Sequence, residues 1–348
     1  MEKKTESNPP AKESKGAFLK GVGAVAAVVS LLLAINQFTG VLQNLRVHHK
    51  EFSDAMNSGE QQMQREDYAA AFKSFKRAME LDPIDKRAQQ KQTEAAMFWL
   101  ENVHANDKQS FTDVVNQLMP VLDSSLTKAK GQLAGDIMAH IAWANFLKYR
   151  DGQREGVNVD GNLKAALTAD PNNVYAHAMS GHWLLWDGND LNAAETHFRT
   201  ALATGRVHGY VRDLQLAALE NHDAPENDRE LLRVSDEMRK AGETLTPRHR
   251  HDIFWKVFTA NMHSPEFPNI LKVLPPSDTV ATYDWLDDWE AGTGKTSARA
   301  FTLADLKEVG GDRAGALADY QTLKNQMKDN DGLLPTVNLH IQQLSHAH

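Results

Sequence analysis

Between Phe52 and Asp85, residues of set size recur at positions that a pair of antiparallel helices brings together. Counted from Phe52, Gly59 and Ala71 stand at positions 8 and 20, where small side chains let two helices approach closely. Tyr68, Phe75 and Ala78 follow at 17, 24 and 27, and Phe75 is large enough to fill the space between the helices. Pro83, at 32, lacks the N–H that a continuing helix needs and stops the second helix. A chain built this way must stack helix pairs, because one pair cannot bury its own apolar face.

The pattern returns twice. In the segment beginning at Asp170, Gly181, Leu191, Ala194, Phe198 and Ala201 recur, with one extra residue in the turn around Gly188 and Arg206 where a proline is expected. Asp170-Pro171 closes a preceding helix, NLKAALTA. Near the C-terminus Ala304, Gly311, Ala316 and Tyr320 repeat the spacing without a closing proline. These offsets resemble those of the tetratricopeptide repeat family. Other segments, including RAQQKQTEAAMFWLENVH, SFTDVVNQLMPVLDSSL and GQLAGDIMAHIAWANFLKYR, space apolar residues at helical intervals, and no alternating strand pattern competes. The sequence therefore predicts an all-α, tetratricopeptide-like helical-repeat superhelix over 47–348, with a joint near 262–280, where four prolines interrupt the pattern.

The N-terminus obeys different chemistry. Residues 1–16 are charged, contain proline and lack large apolar side chains, the composition of a disordered basic tail. Residues 17–46 hold an apolar run in which GVGAVAAVVSLLLAI carries no charge, long enough for one transmembrane helix with a short extension. Ala34-Ile35-Asn36 matches a signal-cleavage site poorly, so an uncleaved anchor is expected. Lys3, Lys4, Lys12, Lys15 and Lys20 precede or enter the run and only Arg46 and Lys50 follow closely, which orients the N-terminus to the cytoplasm and the body outside it, in the periplasm if the cell is Gram-negative.

Charge and composition narrow the function classes. The formal net charge is -8, and through Arg46 there are six Lys/Arg against three Asp/Glu, leaving 32 against 43, or -11, for the rest. A body that acidic repels phosphate backbones, so nucleic acid is not an expected partner. The absence of cysteine removes disulfides, thiolate metal sites and a cysteine nucleophile. EAGTGKTSARA contains Gly-Lys-Thr, but a phosphate-binding loop needs a glycine five residues before Gly294, and Trp289 stands there. Its flank TYDWLDDWE reads as an acidic helical turn, so Gly292 would end one helix and Thr296 or Ser297 cap the next. The acids Asp284, Asp287, Asp288 and Glu290 read as a solvated face. None of the histidine groups His48-His49, His249-x-His251 and His346-x-His348 has helical metal-ligand spacing, and His177 and His182 diverge on a helix. No cofactor, metal or catalytic residue is assigned.

The resemblance implies a surface that binds segments of partner proteins, formed by the first helix of each repeat. Carried over by offset, its positions are Met56, Glu60 and Met63 in the first repeat, Tyr175, His182 and Trp186 in the second, and Phe301, Asp305 and Glu308 in the third. Lysine, arginine and asparagine, which clamp a C-terminal carboxylate in some members, are missing from these positions, favouring an apolar or basic partner segment. The expected function is a noncatalytic, membrane-anchored scaffold that assists assembly of membrane or envelope proteins. The alternative is a permanent noncatalytic subunit of a membrane enzyme complex.

Overall fold

A computed structural model describes residues 47–103, 110–261, 264–287, 297–327 and 332–346. Among them every regular element is helical. Helix α1 covers 47–64, followed by α2 (Tyr68–Leu81), α3 (Lys86–Glu101), α4 (Phe111–Leu126), α5 (Gly131–Arg150), α6 (Val159–Ala169), α7 (Val174–Gly188) and α8 (Leu191–Ala203). Then come α9 (His208–Glu220), α10 (Pro225–Ala241), α11 (Pro247–Phe254) with a π-helical turn at Trp255–Thr259, α12 (Phe267–Leu271), α13 (Pro276–Leu286), α14 (Ser297–Val309), α15 (Arg313–Gln326) and α16 (Leu334–Ser345). The expected tail and membrane span, 1–46, lie outside the described residues, and no described helix is long and apolar enough to cross a membrane.

Short polar side chains start many of these helices. Asp67, Asp85, Asn158, Asn173, Asp190 and Asp312 each accept a hydrogen bond from the backbone N–H three residues on, which satisfies a donor that the first turn leaves without a helical partner. Such caps contribute about 1 kcal/mol each. The prolines of the expected joint have a related role: Pro268 and Pro276 stand in the first turns of α12 and α13, where a missing N–H costs nothing, and Pro275 precedes α13. They begin helices inside the larger unit.

The described chain forms two compact units. One comprises 47–103 with Pro120–Ser125, the other 110–119 with 126–346; the division falls within α4 at Pro120. In the first unit, a Cβ on Gly59 would lie 2.5 Å from the Phe75 ring, and Ala71, Phe75 and Ala78 are fully buried. The recurrent small residue is therefore there to admit the ring. In the second unit Gly181 of α7 meets Phe198 of α8, with a Cβ placed 2.8 Å from the ring. The extra residue expected near Gly188 is absorbed by Asn189, which ends α7 in the left-handed conformation, φ 49°. The third pair, α14 and α15, buries Ala304, Ala316 and Tyr320 together and packs against α16. Successive first helices also pack side by side: α7 contacts both α5 and α9.

Candidate functional site

The richest surface lies on α5, α7 and α9. Asn173 anchors it: its Oδ1 caps α7 at the Ala176 N–H (2.9 Å) while its Nδ2 donates to Asp136 Oδ1 on α5 (2.6 Å). Gly135 admits that asparagine, since a Cβ there would come within 2.9 Å of it. Asp136 also pairs with Arg206 at 3.5 Å, so the residue standing in place of the expected proline ties the end of α8 back to α5.

From this polar end Tyr175, His182 and Trp186 run along one face of α7. Tyr175 is buried between His140, at 4.6 Å between ring centroids, and Tyr210, at 5.6 Å. His182 is 4% exposed and meets Trp143 and Phe146 edge-on at 5.1 and 5.2 Å. Its Nδ1 lies 3.1 Å from the Leu214 carbonyl, which can only accept, so Nδ1 carries the proton. Nε2 is then an acceptor, buried without a hydrogen-bond partner among the described residues. Burial drives the His182 pKa down to about 4, with the nearby Arg150 and His222 adding to the shift and the Leu214 bond opposing it. The ring is neutral at physiological pH and serves as a packing element.

At the far end the surface opens. Arg150 lays its guanidinium over Phe111, Trp186 and Phe146, at 5.1, 5.2 and 5.9 Å from the ring centroids. Arg154 covers Tyr149 at 3.3 Å, and Tyr149 meets Trp183 edge-on at 5.3 Å. Tyr149, Trp183 and Trp186 are partly exposed. Stacking of this kind leaves a guanidinium its charge and planar N–H donors beside partly exposed ring area.

The other positions carried over by offset fall differently. Met56 is 3% exposed, so it is a core side chain of the first unit, and Tyr175 and His182 are likewise interior. Neighbouring first helices, α5 and α9, pack over Tyr175 and His182. Glu60 is partly exposed and bonded to Arg87, and Met63 is half-buried. Phe301, Asp305 and Glu308 of α14 gather around Tyr320 of α15 and His340 of α16. Phe301 lies 5.5 Å from both rings, and His340 Nδ1 is 2.8 Å from Glu308 Oε2. Burial, then the charge of Asp305 and Glu308, raises the Tyr320 hydroxyl pKa. Burial also raises that of Asp305, opposed by His340 and assisted by Glu308. His340 sits outside the repeated offsets, which is why periodicity gives no reason to select it.

Two further features bear on binding. A cleft of about 590 Å³ beside the π-helical turn is lined by Leu245, Pro247, Phe254, Trp255 and Leu286, and Trp255 is 56% exposed. Such turns often mark functional positions in helices. Asp284 and Asp287 both pair with Arg299, at 2.8 and 3.0 Å, whereas Asp288 and Glu290 lie outside the described residues. So do Gly292, Gly294, Lys295 and Thr296; the elements on either side of them, α13 and α14, are helices, not the strand that delivers a phosphate-binding loop.

No protein-family model matches the chain, and no curated protein matches it. Among solved structures it is similar to a tetratricopeptide repeat protein from Parabacteroides merdae ATCC 43184, with 11% identity, a TM-score of 0.34 and coverage of 85% of this chain and 100% of that one. It is also similar to the P58(IPK) TPR domain, with 11% identity, a TM-score of 0.20 and coverage of 85% and 99%. The helix-pair assignment stands on the glycine-to-ring contacts described above.

Proposed function

We propose that this chain is a membrane-anchored, noncatalytic scaffold whose helical-repeat surface, held outside the cytoplasm, docks segments of membrane or envelope proteins during their assembly. The observation that carries the docking function is the rim of Tyr149, Arg150, Arg154, Trp183 and Trp186 at one end of α5 and α7. Tryptophan, tyrosine and arginine are enriched among the few residues that dominate binding at protein interfaces, because they bury large area and keep a polar handle. The two arginines change the expected ligand chemistry at this face. An apolar segment bearing a carboxylate suits it better than a basic one.

Anchoring rests on residues 17–46 and their lysine flank. It raises the local concentration of the array around membrane partners without any new contact. Capture of the full chain from gently solubilised native membranes, compared with an R150A/W186A variant of matched helicity, tests the docking function. Loss of defined membrane proteins from the variant supports it; equal recovery at fixed stoichiometry points instead to a permanent subunit. The chain has no cysteine. A single cysteine at Ile84, which is 84% exposed, therefore reports topology: labelling of intact cells by a membrane-impermeant maleimide is expected, and labelling only after lysis would refute the orientation.

A further inference from the structure

The cluster joining α14, α15 and α16 is not explained by docking. Asp305 and Glu308 stand one turn apart on α14, and His340 reaches them from α16. One oxygen from each carboxylate and one imidazole nitrogen lie within 4.8 Å of one another. Ligands held about 2.0–2.2 Å from a tetrahedral zinc-like ion are separated by roughly 3.4 Å from one another. The Glu308–His340 separation of 2.8 Å and the 4.8 Å limit on the whole cluster bracket that spacing, so small side-chain movements would admit one ion.

A second observation separates this cluster from an ordinary ion pair. Tyr320 has no exposed surface, and its hydroxyl interacts with Asp305 and Glu308 without a well-formed hydrogen bond to either. In the two earlier helix pairs the same interior position holds Phe75 and Phe198. Burying a hydroxyl without a well-formed hydrogen bond is unfavourable, so phenylalanine would be the cheaper choice unless the oxygen is used. Its surroundings are two carboxylates and an imidazole. Metal-ligating carboxylates are commonly held by an outer hydrogen-bond donor that fixes their orientation, and a phenol can supply that donor.

We propose that Asp305, Glu308 and His340 form a binding site for one divalent first-row metal ion, with Tyr320 orienting the carboxylates. Imidazole with two carboxylates suits zinc, manganese or iron(II) chemistry, and three protein ligands leave room for water. The ion would staple α16 to the α14–α15 pair.

The test uses the full chain in detergent, freed of any histidine tag and stripped with chelator, then titrated with Co²⁺ and with Zn²⁺. One equivalent should bind, give a cobalt d–d absorption band and slow amide hydrogen exchange in α16. Glu308→Gln retains side-chain size and hydrogen bonding but should lose the band and the slowing; His340→Asn should do the same. Tyr320→Phe should bind about tenfold more weakly. Absence of a one-equivalent site, or binding that persists unchanged in both Glu308→Gln and His340→Asn, overturns the proposal, the latter assigning the ion to other histidines. If His340→Asn does not fold, Glu308→Gln alone decides.

Discussion

The α7–α8 and α14–α15 pairs use one packing rule with different chemistry. In the first, Gly181 admits Phe198, and the exposed end of α7 is aromatic and stacked with arginine. In the second, Ala304 packs with Tyr320, and the first helix presents Asp305 and Glu308 toward His340. A repeat fixes backbone spacing and side-chain size, whereas the chemistry at each first helix remains free to diverge. One packing rule can therefore carry an aromatic–arginine rim beside one first helix and a carboxylate–imidazole cluster beside another.

The most severe way to break that equivalence is to empty the shared interior position. Phe198→Ala should destabilise the second unit by about 3–5 kcal/mol, read by denaturant melting, because the Gly181 face has nothing else to fill it. A cost under 1 kcal/mol would show that the ring does not join the helices.

Acid should separate the pairs next. His182 titrates near 4 in the folded protein against an ordinary value of 6.5, so between those values the unfolded chain binds the extra proton. The stability it contributes is complete above about pH 6.5 and is lost as pH falls toward 4, on the order of 3 kcal/mol. His182→Phe should remove that part of the slope in melts across this range, and an unchanged slope would place the acid sensitivity elsewhere. Gly181→Ala follows: a methyl 2.8 Å from Phe198 forces a shift, at about 1–3 kcal/mol by thermal melting, while Ala304 already carries that methyl. The smallest effect should come from Tyr320→Phe in metal-free protein, which should be neutral or more stable by about 1 kcal/mol, since it removes a buried hydroxyl that lacks a well-formed hydrogen bond. Clear destabilisation there would mean that the hydroxyl is already satisfied.

These comparisons also show what the sequence made legible. Gly59 with Phe75 and Gly181 with Phe198 could be paired from spacing alone, because close helix approach demands a small residue opposite a large one. Helix α5 matches the segment expected for it residue for residue. The binding positions were less legible, for a physical reason. Offsets state which side of a helix a residue occupies, but tertiary packing decides how deeply it is buried: Met56 is interior, and α5 and α9 bury Tyr175 and His182. Arg150 and His340 lie beyond the repeated offsets and join their clusters only through tertiary contact. The π-helical turn at Trp255–Thr259 leaves no periodic signal, because its wider hydrogen-bond spacing spans a single turn.

The most direct measurement of the central claim places a photo-crosslinking amino acid at Trp186 in the full chain, illuminated in native membranes, with Ile84 as the exposed control position. A docking rim predicts a discrete adduct between position 186 and a membrane protein, weakened by Arg150→Ala and absent from position 84. No adduct at 186, or the same products from both positions, would contradict a docking surface on α5 and α7.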